Sequence, residues 1–280
     1  MQAELRKPAV SGMFYPSDPA ELKQLLQNLE SRALLSPGAF DEKILVGGIV
    51  PHAGYMYSGV HAIPFFHTVA ANPSDFDTIV ILNPDHHGQG EDVSLDPHSY
   101  WETPLGVAEI DKAFFPLLEL ETSLLAQQNE HSAEVMVPLL QYYMPGSFKI
   151  LPVSIRNQTP DIAVQLAGKL AQAADKLGKR ILVIASSDFS HFVPAKEGAA
   201  NDNKVIEKIQ ALDTKEVYSV IMEHGNSVCG VGPIMTLLAY AQLKASKPRV
   251  DILSRGHSGE RSSSPSVVHY LTAVVSYNRT

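Results

Sequence analysis

Three short, almost continuously apolar runs constrain this chain most, because each ends in a polar loop that carries histidine. Ile44 to Val50 leads into Pro51-His52-Ala53-Gly54. Thr78 to Leu82 leads into Asn83-Pro84-Asp85-His86-His87-Gly88, and Ile181 to Ala185 into Ser186-Ser187-Asp188-Phe189-Ser190-His191. A run without polar alternation suits a strand covered on both faces, as in parallel sheets flanked by helices. Helical spacing follows Ser17-Asp18-Pro19 at Leu22, Leu25, Leu26 and Leu29. It recurs over Val60 to Val69, Val135 to Tyr143, Pro160 to Leu177, Asn203 to Ile209 and Ile234 to Leu243. Phe148 to Ile155, Val250 to Ser254 and Val267 to Tyr277 read as further strands. This alternation predicts an α/β sandwich whose central mixed, largely parallel sheet is flanked by helices. With no repeat or linker in sight, residues 1–280 read as one domain, and the Gly-, Ser- and Arg-rich stretch Ser254 to Pro265 as its most mobile piece.

Composition excludes several classes. A formal charge of −8 and scattered Lys and Arg argue against a nucleic-acid backbone or an anionic membrane surface as partner. The densest basic spot, Lys176, Lys179 and Arg180, reads as the solvated cationic end of a helix. No apolar run approaches the roughly 20 residues that cross a bilayer. The first residues lack a signal-peptide pattern, and one cysteine cannot form an internal disulfide. The expected compartment is the cytoplasm.

In open α/β sheets, ligands collect outside the carboxyl ends of strands, so three histidine-bearing loops there form a candidate site. For His52 the alternative is an imidazole satisfied by a backbone carbonyl. His86 and His87 are adjacent, so only one should face a given centre, and Asp85 could orient an imidazole through its other nitrogen. Asp188 and His191, three apart, suit one side of a turn entering a helix, where Ser187 or Asp188 could equally be a cap. Ser187 lacks the glycine-flanked elbow of an acyl-transfer nucleophile.

Glu130-His131-Ser132-Ala133-Glu134 reads as the opening of the helix that runs to Tyr143, a position that suits Glu134 electrostatically and keeps His131 neutral. Cys229 lies in Ser227-Val228-Cys229-Gly230-Val231-Gly232-Pro233, before a helix whose N-terminus should lower its pKa. A small buried residue is the plainer alternative. Two imidazoles with one anionic ligand is a familiar set for divalent iron, and thiolate in that place admits zinc or copper. No close-spaced zinc motif and no phosphate-binding glycine loop occurs.

At these residues the chain resembles the Memo family (mediator of ErbB-driven cell motility), whose prokaryotic members are called AmmeMemoRadiSam system protein B. The matching segments are Pro51-His52-Ala53-Gly54-Tyr55, Pro84-Asp85-His86-His87, Thr103-Pro104-Leu105, Glu130-His131-Ser132, Ile150-Leu151-Pro152-Val153, Ser186 to His191 and Cys229-Gly230. The early stretch Ser11-Gly12-Met13-Phe14-Tyr15 joins them. The resemblance implies the fold of class III extradiol dioxygenases, with cysteine replacing their carboxylate ligand. It implies a metal set of His52, His86 and Cys229, in a pocket also lined by His131, Asp188 and His191.

Three functions are expected from this. The first is a metal-dependent redox protein, with iron ahead of copper or zinc, His131 or His191 as acid/base and Asp188 orienting a neighbour. The second is a non-enzymatic binding or scaffold protein that holds a small molecule or peptide, or AMMECR-like and radical SAM proteins as the prokaryotic name implies. The third is hydrolysis using His131 or His191.

Overall fold

The computed structural model describes residues 4–36, 38–72, 76–146 and 148–279. The chain opens with β1 (Leu5–Arg6) and α1 (Pro19–Glu30), continues through β2 (Lys43–Val50) and α2 (Tyr55–Ala71), and reaches β3 (Thr78–Pro84). Short elements follow: β4 (Val93–Leu95), β5 (Tyr100–Thr103), β6 (Gly106–Ile110), α3 (Phe115–Leu118), β7 (Glu121–Thr122) and α4 (Leu124–Gln128). Next come α5 (Met136–Tyr143), β8 (Lys149–Ile155), α6 (Pro160–Leu177), β9 (Ile181–Ser186) and β10 (His191–Val193). The last part holds α7 (Ala195–Gln210), α8 (Thr214–His224), α9 (Val231–Lys244), β11 (Arg249–His257) and β12 (Val267–Asn278).

The sheet runs β1-β5-β6-β8-β3-β9-β2-β12-β10, with β11 paired to β12. From β6 to β2 the neighbours are all parallel, whereas β12 joins β2 and β11 antiparallel. This is the mixed, largely parallel sheet that the apolar runs predict. Its alternation sorts side chains between two layers. Ile79, Ile81, Leu182 and Ile184 pack with α1, α2 and α5, while Val80, Leu82, Val183 and Ala185 pack with α6 and α9. α9 is buried nearly all round, so its interior-facing Leu237 contributes about 1.5–3 kcal/mol by leaving water.

Strand β2 carries an irregularity that bears on the site. Its pairing with β12 shifts register between Val275 and Ser276, and the layer order of its side chains changes beside Val46. Gly47 and Gly48 follow, and a Cβ on Gly48 would lie 2.3 Å from the Phe65 ring of α2. Glycine there lets the helix approach the strand that delivers His52.

Four expectations are corrected. The stretch after β9 does not enter a helix: His191 begins β10, which pairs with β12. Asp188 is therefore no helix cap. Glu130 to Glu134 lie before α5, in a loop and the turn that ends it, so they do not open the helix. The stretch read as mobile is partly strand, since β11 runs to His257 against β12.

Candidate metal centre

The parallel strands β2, β9 and β3 end side by side, and the loops beyond them hold His52, Asp188 and His86. Cys229 arrives from the α8–α9 loop, and Glu130 and His131 from the α4–α5 loop. One ligand atom from each of His52, His86 and Cys229 lies within 4.8 Å of the others, and Cys229 Sγ is 3.2 Å from His52 Nε2. Around a metal with bonds of about 2.0–2.3 Å, such donors stand roughly 3.1–3.6 Å apart, so the pair is already spaced for a shared ion.

Neighbouring hydrogen bonds fix which nitrogen each imidazole offers. Ser186 Oγ donates to the Ser132 carbonyl at 2.7 Å, so it accepts from His52 Nδ1 at 2.8 Å. His52 thus carries its proton on Nδ1 and turns the Nε2 lone pair towards the sulfur. His86 Nδ1 donates to Glu130 Oε1 at 2.9 Å, leaving its Nε2 free. This is how ligand histidines are held in known metal sites.

Glu130 organises this half of the pocket. Its carboxylate also accepts from the His86 backbone and from the amide and hydroxyl of Ser132, with a side chain 0% exposed. Burial would raise its pKa, but the His86 hydrogen bond and charge hold it well below the usual carboxylate range. In turn Glu130 raises the pKa of His86 against the opposing effect of burial.

His131 stacks on His86 with centroids 4.9 Å apart and has Phe14 at 4.8 Å. Burial lowers its pKa to about 4. The expected neutral imidazole is present, but burial accounts for it and not a helix terminus. Glu134, also expected at that terminus, is buried against Arg6 at 2.6 Å and accepts from Tyr15 and from the amides of Ala9 and Val10. It ties the N-terminal segment, and Phe14 with it, to the wall of the pocket.

Asp188 accepts from the His52 amide at 2.8 Å and so fixes the loop that carries His52. Burial pushes its carboxyl up to about 7, against the opposing hydrogen bonds from His52 and Ala53. His191 Nδ1 donates to the Ser227 carbonyl at 2.7 Å, and its pKa is lowered by burial. Its position is close enough for its charge to act on His52.

The thiol departs from expectation. Burial, with the nearby Asp188 charge, raises the pKa of Cys229 although α9 begins just beyond it. The reason lies in where the amides of that terminus go. Gly230 N donates to Ser187 Oγ and Gly232 N to Gln158 Oε1, so neither is turned to the sulfur, which accepts instead from the Asp188 amide at 3.2 Å. Gln158 Nε2 also holds the Cys229 carbonyl, clamping the loop from both sides. Gly230 is required here, since a Cβ would lie 2.3 Å from the Ser186 carbonyl oxygen.

The predicted residues therefore converge, with one exchange of roles. Asp85 orients no imidazole: it accepts from the amides of His87 and Gly90. His87 turns away to the Asn129 carbonyl, as its adjacency to His86 required. Glu130 does the work assigned to Asp85, and its place beside His131 was the available signal. Ser186 and Gln158 carried none. The donor set, two imidazole nitrogens and one sulfur, fits a soft or borderline divalent ion, with room for further ligands on the side of His86, whose side chain is 30% exposed.

Fold and site together define a class: an α/β protein with a two-histidine, one-cysteine donor cluster outside the carboxyl ends of its parallel strands. The chain belongs to the Memo-like protein family, whose model matches residues 6–274. A MEMO1 family protein of Desulfurococcus amylolyticus is 38% identical over 92% of this chain and 93% of its own length. One from Methanosarcina barkeri is 36% identical over 97% of this chain and 99% of its own. Among solved structures, the uncharacterized protein JW3007 from Escherichia coli K12 superposes with a TM-score of 0.53 at 12% identity, covering 76% of this chain and 91% of that one. That likeness concerns the fold alone.

Proposed function

We propose that this protein is a metal-dependent oxidoreductase related to the non-haem iron dioxygenases, with His52, His86 and Cys229 as ligands. The observation that carries the reading is the pair of fixed tautomers: Ser186 and Glu130 each occupy an Nδ1, so both Nε2 lone pairs remain for the centre that Cys229 also faces. Bound iron would supply a redox couple and a Lewis-acid centre. The chain's own residues position and move protons. Asp188 holds the His52 loop. His191 is kept neutral by burial and, with Nδ1 committed to Ser227, takes a proton at Nε2. His131, neutral beside His86, is the second acid/base group.

The test is elemental analysis of untagged protein loaded anaerobically with Fe(II), Cu(I) or Zn(II), comparing the native chain with Cys229→Ser. Stoichiometric iron or copper that is lost in the variant supports the reading and directs a screen of catechols with oxygen. A native chain that retains no redox metal overturns it.

One observation favours a second reading, a binding or scaffold protein that retains the pocket. The thiol stays protonated and lies 3.2 Å from His52 Nε2, so an S–H···N contact satisfies both groups without an ion. Capture of a peptide, or of an AMMECR-like or radical SAM partner, should then survive chelation. Loss of binding on chelation rejects this second reading.

A further inference from the structure

The basic end of α6 does more than face solvent. It borders a cavity of about 350 Å³ at the amino ends of β2 and β9, the opposite end of the sheet from the candidate metal centre. A volume of that size lies within the range of small-molecule pockets. Two of the cations there are already committed: Lys179 binds Asp111 and Lys244 binds Asp175, each within 2.6 Å. Arg180 differs. Its guanidinium sits 5.7 Å from the Phe76 ring and has no carboxylate partner among the described residues.

Two phenols face the same cavity. Tyr240 is 3% exposed, yet its hydroxyl has no hydrogen-bond partner among the described residues, and Tyr277 beside it has none either. The Tyr240 oxygen is not sealed in the core as the unpartnered Tyr143 hydroxyl is, so what it reaches is the cavity. Burial, Asp175 and Tyr277 all raise its pKa, so it is present as a donor. A hydroxyl that opens on a cavity without a protein partner keeps its donor available to an acceptor that enters there.

We infer that this cavity binds a small organic oxyanion, a phosphate monoester or a carboxylate. Its charged end would sit on Arg180 and the Tyr240 and Tyr277 hydroxyls, and its apolar body along Phe76. Guanidinium and phenol donors match oxyanion acceptors, and the aromatic wall accounts for an organic body over a bare ion.

The experiment is titration calorimetry of the full chain with phenyl phosphate, benzoate and inorganic phosphate. Tyr240→Phe removes one unpartnered hydroxyl and Arg180→Gln one exposed charge, so both variants should keep the native thermal midpoint. Saturable binding of phenyl phosphate or benzoate is expected, and the better of the two names the ligand class. That binding should weaken about fivefold in Tyr240→Phe and about tenfold in Arg180→Gln. It should be unchanged in Cys229→Ser, at the far end of the sheet. The inference is overturned if neither organic anion binds, or if affinity is the same in the native chain and both cavity variants. Inorganic phosphate binding as tightly as phenyl phosphate also overturns it, since the cavity would then recognise a bare ion.

Discussion

Two regions of this molecule are rich in histidine, and only one brings its ring nitrogens together. At the carboxyl ends of the parallel strands, His52 and His86 each spend Nδ1 on a fixed acceptor and turn Nε2 to a common point with Cys229. On the hairpin of β11 and β12 lie the paired His257 and His269, with His61 of α2 packed against them and Asp202 and Glu260 beside them. There His61 Nε2, His257 Nδ1 and His269 Nε2 are buried without hydrogen bonds. Among the described residues no metal-capable group includes any of them. What differs is where the ring nitrogens point: His52 and His86 turn Nε2 to one point beside a sulfur, whereas His61 Nε2 and His269 Nδ1 each meet a separate carboxylate, Glu260 and Asp202, at 3.3 Å.

The largest effect should come from removing a partner that orients His52 or His86. Glu130→Gln keeps the shape but withdraws the charge that fixes His86, and metal affinity should fall about 10–100-fold. His257→Gln, in the other cluster, should leave affinity unchanged. Competition with a metal-sensitive chelator dye measures both. Equal losses in the two variants would erase the contrast.

Next in size is a pair of glycines, one in each region. A Cβ on Gly230 would meet the Ser186 carbonyl at 2.3 Å, and one on Gly256 would meet His61 Cε1 at 2.1 Å. Overpacking of this kind costs about 2 kcal/mol, so Gly230→Ala and Gly256→Ala should both shift the urea midpoint. Only Gly230→Ala should also weaken metal binding, because it displaces the Cys229 loop. If Gly256→Ala weakens metal binding as much, the two regions are coupled and the contrast between them is too sharp.

The same contrast shows what was legible in the chain. Apolar runs report burial on both faces, so β2, β3, β8 and β9 and the loops at their ends followed directly from the sequence. His52, His86 and Asp188 inherit their positions from those runs. Cys229 and His131 come from loops between helices, and it was the resemblance to the Memo family that placed them in the same pocket. The role of Glu130 was not legible. A carboxylate two residues before a turn looks the same in sequence whether it caps a helix or holds an imidazole. Only the distant register of β3 against β8 and the path of the α4–α5 loop decide that. The thiol was misread for a related reason: proximity to a helix start says nothing of whether Ser187 and Gln158 have already taken its amides. α8 is absent from the helices expected above, although Val217, Val220 and Ile221 at helical spacing and Asp213 as its cap were there to be read.

The smallest expected effect concerns protons in the cluster on the β11–β12 hairpin. His269 lies 3.3 Å from Asp202, which would favour its charged form, but burial, with His257 and Arg255, lowers its pKa to about 4. An unfolded histidine titrates near 6.5. Between those values the unfolded chain binds the extra proton, so the stability His269 contributes is full above about pH 6.5 and is lost as pH falls towards 4. Asp202 acts in the opposite sense, since burial raises its pKa and its protonation favours the folded chain. The signal is therefore the difference between two variants of one background. Urea melts at pH 7 and pH 5 should show the native chain losing about 1 kcal/mol more than His269→Gln, a fraction of the full shift because Asp202 and Glu260 favour the charged ring. An equal loss in both chains would mean that His269 charges freely in the fold. The orphan nitrogen would then have a proton partner after all, and the cluster would be closer in kind to the pocket at the strand ends.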